Sequence, residues 1–158
     1  MNDWIYKPGI PNNIITPVSE DFNTIDNIQK TWRKIGVKGL SQKIKSTNER
    51  QHFIDYLPND ITTKEMEAID QEFNFTKGGN FVIKRQWFLI AIAHEYQPAQ
   101  ASVHEFMMNT SRTGSLIPLY KAMVKTNSGK KRAQELFAIA KKGYHLTTVE
   151  ALSHIISQ

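Results

Sequence analysis

The sequence predicts an all-α fold of about eight helices. Apolar residues recur at spacings of three and four along most of the chain, which is the period of one helix face. No segment keeps the strict alternation of a half-buried strand. Helix-starting and helix-stopping residues follow one another closely, so the connections are short. At 158 residues, with 40% apolar and 22% charged, the composition is that of one ordinary globular domain. A chain of this size buries roughly 70% of its unfolded surface and needs neither disulfide nor metal to stand.

Residues 1–18 read as an extended arm, punctuated by Pro8, Gly9, Pro11 and Pro17. Trp4, Ile5, Tyr6, Ile10, Ile14 and Ile15 make it too apolar for a free linker, so it is expected to lie against its own helices or a neighbouring domain. Residues 19–158 then form the helical domain. Ser19 caps a helix whose apolar face is Phe22, Ile25, Ile28, Trp32 and Ile35, closed by Gly36. A shorter helix, about Thr47 to Leu57, buries Phe53, Ile54 and Leu57 and stops at Pro58.

Thr62-Thr63-Lys64-Glu65 fits a capping box for the helix carrying Met66, Ile69 and Phe73. Asn80 caps the most apolar helix, with Ile83, Trp87, Ile90 and Ala91 on one side and Phe88 and Ile92 widening the stripe; such a helix belongs at the centre of the core. Pro98 suits a first turn, and the helix behind it points Val103, Phe106 and Met107 inward. Arg112-Thr113-Gly114-Ser115 breaks the chain, with Ser115 expected to cap a helix that has Pro118 in its first turn. Asn127-Ser128-Gly129 reads as a turn before a helix from Lys130 to Lys142, with Gly143 behind it. Thr147-Thr148-Val149-Glu150 repeats the capping-box pattern for a last helix that buries Leu152 and Ile156. Short loops set neighbouring helices antiparallel, and successive hairpins stack as an irregular two-layer helical solenoid, an armadillo- or HEAT-like superhelix.

The residues offer little chemistry of their own. There is no cysteine, which removes thiol catalysis, disulfide frameworks and cysteine zinc sites. His52, His94, His104, His145 and His154 are scattered. His94-Glu95 starts like the zinc motif His-Glu-x-x-His, but Pro98 stands where the second histidine is needed, and Met108 fails His104-Glu105 in the same way. No Gly-x-Ser-x-Gly elbow and no phosphate loop after a strand are present. No cofactor is expected in this chain, and no catalytic residue.

The longest apolar run, Trp87 to Ala93, is far short of the ~20 residues that span a membrane. The N-terminus does not read as a signal peptide; in a fragment, a signal would lie upstream, so the compartment stays open. The net charge of +5 permits anionic partners, but the lysines are dispersed and the aromatics fall on apolar faces, so nucleic acid ranks last.

One polar feature stands apart. Arg112 sits in a turn just before a helix start, where a guanidinium and a positive helix end together suit a carboxylate. Taken alone, most such arginines are solvated or hold a helix C-terminus.

Four segments in order resemble one family. Asn80-Phe81-Val82-Ile83-Lys84-Arg85-Gln86-Trp87 is similar to the Asn-x-x-Ile-x-x-x-Trp helix in the C-terminal domain of leukotriene hydrolase and aminopeptidase B type enzymes. Arg112 to Tyr120 resembles that domain's Gly-Arg-x-Lys-aromatic-x-x-Pro-apolar-aromatic turn. Trp4 to Pro11 resembles the segment leading out of the catalytic part, and Tyr144-His145 before a last helix resembles the family's end.

The resemblance implies a C-terminal domain of a zinc aminopeptidase, with zinc and catalytic residues in a preceding domain outside this chain. It implies intramolecular contact with that domain, closure of one side of its cleft, and short peptides as substrates. Arg112 matches the arginine that holds the substrate's C-terminal carboxylate. The family's lysine two residues later is Gly114 here, so either Arg112 acts alone or a lysine such as Lys121 or Lys125 substitutes. The alternative reading is a stand-alone helical-repeat module that binds an acidic protein.

Overall fold

A computed structural model describes residues 20–157. Among them are eight α-helices and no strand: α1 (Glu20–Ile35), α2 (Thr47–Asp55), α3 (Thr63–Phe73), α4 (Phe81–Ala93), α5 (Gln100–Asn109), α6 (Thr113–Met123), α7 (Asn127–Ala140) and α8 (Leu146–Ser157). Single 3₁₀ turns sit at Leu40–Gln42, Gln97–Ala99 and Lys141–Gly143. The expected arm over residues 1–18, and the Ser19 cap, lie outside the described residues.

Side-chain caps explain most of the starts. Ser46 and Glu49 form a capping box on α2, and Thr62 and Glu65 form one on α3. Asn80 accepts from the N–H groups of Val82 and Ile83 and so sets the first turn of α4. Gly36 closes α1 at φ +83°, a conformation glycine adopts without steric cost, and its N–H reaches the Trp32 carbonyl at 2.8 Å.

The helices pack next-but-one. α2 lies against α4, α4 against α6 and α6 against α8, giving one row; α5 lies against α7 in the other. Consecutive helices join the rows, α1 with α2, α4 with α5, and α6 with α7. This is the two-layer stack the short loops predict.

α4 is its centre. Trp87 and Phe88 are fully buried, and Ile83 and Ala91 nearly so. The rings of Phe53, Phe73, Phe75, Trp87 and Tyr96 form a chain with successive centroids 4.8–6.0 Å apart. The Trp87 indole N–H donates to Thr76 Oγ1 at 2.9 Å, and the Thr76 N–H donates to Asp70 Oδ1 at 2.8 Å. The buried donor is thus satisfied by the loop that enters α4.

Several expectations are corrected. Phe22 and Ile35 are not core residues: they are 37% and 64% exposed, whereas Ile25, Ile28 and Trp32 are buried. α1 packs chiefly on α2, so its covered stripe is narrower than its apolar pattern. Phe22 instead stacks on His52 at 4.7 Å.

α6 begins at Thr113, with Arg112 in the N-cap position; Ser115 is buried inside the helix, and Pro118 lies beyond the first turn. Asn127-Ser128-Gly129 is the first turn of α7, not a preceding loop, because Thr126 accepts the Gly129 N–H and starts the helix early. Thr147 does not cap α8. The His145 carbonyl accepts from Thr148 and Val149, and Thr148 is buried.

Two predictions follow from this packing. A Cβ on Gly129 would stand 2.1 Å from the Met123 carbonyl oxygen, a backbone atom that cannot step aside. Gly129→Ala should therefore cost roughly 1–3 kcal/mol in urea melts although alanine is the better helix former by about 1 kcal/mol. Gly114→Ala, with open space around it, should be neutral or stabilising. Equal midpoints for the two variants would contradict the packing.

The second concerns Glu49. The backbone N–H groups of Ser46 and Lys45 that its carboxylate accepts hold its pKa below the ordinary 4.5. A depressed folded pKa means stability present above the unfolded value and lost as pH falls through the folded one. The group is well solvated, so the contribution stays under about 1 kcal/mol. Glu49→Gln should lower Tm by about 1–3 °C at neutral pH, and the gap should close as pH falls below the ordinary 4.5 and through the lower folded value. A gap independent of pH would assign the effect to something other than the charge.

Candidate functional site

The chain between α5 and α6 is built to hold one exposed cation in a fixed turn. α5 ends where the Thr110 N–H donates to the Phe106 carbonyl at 3.1 Å. Thr110 is buried, and its Oγ1 accepts the Arg112 N–H at 3.4 Å. Arg112 is extended, with φ −74° and ψ 104°, and its carbonyl accepts from Ser115 and Leu116 at 2.9 and 3.1 Å, which opens α6.

Both flanks are anchored by residues near the C-terminus. Thr113 hydrogen-bonds through its hydroxyl to the buried Thr148 of α8. The Tyr144 hydroxyl donates to the Met107 carbonyl at 2.7 Å. That carbonyl is in the last turn of α5, where no helical N–H is left to satisfy it. Tyr144 also lies 3.4 Å from the Tyr120 hydroxyl. Burial pushes both phenols above their ordinary pKa, so they act as neutral hydrogen-bonding groups.

Arg112 itself is exposed, and its guanidinium lies over the Phe81 ring at 4.9 Å. Phe81 packs on Phe106 at 4.8 Å, and Phe106 meets Phe88 edge-on at 5.4 Å. A column of three rings between α4 and α5 therefore carries the cation at its top. Among the described residues, no carboxylate forms a salt bridge with Arg112.

This turn walls an open cleft of about 500 Å³ whose lining also includes Phe81, Lys84, Glu105 and Phe106. Lys84, half-buried on α4, is the residue the sequence reading passed over. It stood inside the motif that drew attention to α4, but nothing in the sequence alone brings it beside residue 112. Lys121 and Lys125 are both exposed and do not line the cleft. Gly114 is exposed, with nothing within 4 Å of where its Cβ would be.

A second, more apolar cavity of about 290 Å³ lies among α4, α5 and α7. Its cation, Arg132, already binds Gln100 and lies 3.6 Å from Glu95. The histidines come together with nothing that resembles a metal site. His52 pairs with Asp26 at 2.7 Å, and the His145 ring faces Thr147 at 3.0 Å. Among the described residues, no group of three or more His, Cys, Asp or Glu side chains could hold a metal ion, and no helix is long and apolar enough to cross a membrane.

A family model described as leukotriene A4 hydrolase, C-terminal, matches residues 45–156. The match takes in α2 to α8 almost whole, including the Asn80 helix, the Arg112 turn and Tyr144-His145; the Trp4–Pro11 likeness lies outside it. A comparison with curated proteins finds no match.

The anchoring of the turn gives a direct test. Tyr144→Phe strips the Met107 carbonyl of its donor and should cost about 1–2 kcal/mol. It should also speed amide exchange at residues 110–113. A loss below about 0.5 kcal/mol, with exchange unchanged, would show that the tyrosine does not hold the turn.

Proposed function

The chain belongs to the leukotriene A4 hydrolase C-terminal family, and we propose that it is the accessory domain of a larger zinc aminopeptidase, where Arg112 holds the C-terminal carboxylate of a short peptide substrate. The carrying observation is the state of Arg112: exposed, without a salt-bridge partner among the described residues, and fixed at the head of α6 over Phe81. It stands at the position that matches the family's carboxylate-binding arginine.

The described residues offer no metal-ligand set, so the hydrolytic zinc and the chemistry it supplies belong to the proposed catalytic domain. This chain binds and orients. A guanidinium can grip a carboxylate through two parallel N–H···O bonds, and the first N–H groups of α6 add a positive end nearby. Fixing the far end of the peptide aligns its first bond with the catalytic groups, and misplacement by about 1 Å can cost ~100-fold in rate. By closing one side of the cleft, the domain limits substrates to short peptides.

In the full-length gene product, Arg112→Ala should raise KM for free tripeptides by about 10- to 100-fold. The same peptides with an amidated C-terminus should be unaffected. Equal losses on both would refute the carboxylate role, and a product without zinc-dependent aminopeptidase activity would refute the domain assignment.

A further inference from the structure

We propose that Lys84 is the second cation of the carboxylate site, supplied from α4 where the α6 turn has a glycine. The inference rests on the Arg112 reading above. Lys84 and Arg112 line the same cleft although 28 positions separate them in the sequence. Phe81 connects them. It precedes Lys84 by three residues on α4, so the two share a helix face. Its ring carries the Arg112 guanidinium at 4.9 Å.

The site therefore has one cation stacked on an aromatic platform and another rising from the next turn of the same helix. Gly114 contributes no side chain and leaves its own surroundings open. Lys121 and Lys125 are not part of this wall.

The charge balance also fits. Lys84, Arg112 and Glu105 line one cleft, leaving a single net positive charge. One carboxylate neutralises it. A lysine contributes a mobile point charge, and an arginine a planar fork; together they can serve both oxygens of one carboxylate. Glu105 on the same wall disfavours a second negative charge, so the site suits a peptide whose last side chain is neutral.

The test uses the full-length gene product and a free tripeptide ending in leucine, with its C-terminal amide as control. Lys84→Met should raise KM for the free acid about tenfold, leaving kcat and the amide unchanged. Lys84→Arg should keep most of the affinity. Adding Gly114→Lys to Lys84→Met should restore it, because the open space beside the turn admits the new side chain.

If Arg112→Ala separates acid from amide and Lys84→Met does not, the lysine assignment falls and the arginine reading stands. If neither variant separates them, both fall. A Lys84→Met defect equal on acid and amide, or one that Gly114→Lys cannot relieve, assigns Lys84 to structure and overturns the proposal. A gene product that does not hydrolyse peptides overturns it together with the reading beneath it.

Discussion

α4 carries the largest fully buried side chain of the core, Trp87, and the rest of the protein is arranged around it. Its sequence, Phe81 to Ala93, is apolar apart from Lys84, Arg85 and Gln86. α2, α5 and α6 close around it. The burial of Trp87 alone is worth roughly 3–5 kcal/mol against truncation to alanine. It also imposes a condition, because a buried indole N–H without a partner costs about 1–3 kcal/mol. Thr76 meets that condition, and Asp70 holds Thr76 in place. The loop into α4 is thus determined by the helix it precedes, and the same loop brings Gly79 and, just behind it, Phe81 to the cleft.

The magnitudes around Arg112 explain why a rigid turn carries a displaceable cation. An exposed guanidinium over an aromatic ring gains only about 0.5–1 kcal/mol. A charge-assisted hydrogen bond to a carboxylate contributes about 1.5–3 kcal/mol. The ring therefore parks the side chain without competing with an incoming acid. The backbone beneath is held differently, by the buried hydroxyls of Thr110, Thr148 and Tyr144. Rigidity resides in neutral groups and responsiveness in a charged one, so binding need not reorganise the fold.

The fold was largely legible because helix periodicity and capping chemistry are local. Thr62, Asn80 and Gly36 announce their roles within four residues of sequence. The misreadings share one cause. Ser115, Thr147 and Asn127-Ser128-Gly129 carry residues that favour starts and turns, but Arg112, His145 and Thr126 start those helices earlier. Phe22 and Ile35 follow the period of a buried face, yet nothing in α1 states how much of that face a neighbour covers.

Of the candidate site, one arginine was legible, through the turn that resembles the family's. Lys84 was not, because its place beside Arg112 depends on the row that sets α4 against α6. Periodicity within one helix is silent about which helices become neighbours.

The serial stacking of α2, α4, α6 and α8 also bears on the order in which the protein assembles. Each helix is completed mainly by elements close to it in sequence, so structure can propagate along the chain with little loop entropy to overcome. The rings packed on Trp87, those of Phe75 and Tyr96, come from chain that precedes α6. The Arg112 turn is different: its clasps, Tyr144 and Thr148, come from chain that follows α7. A chain folded as far as α6 can therefore hold the rings around Trp87 while the Arg112 turn still lacks its two clasps. The geometry of the Arg112 turn is complete only when α8 is in place, which ties the order of that turn to a helix remote from it in sequence.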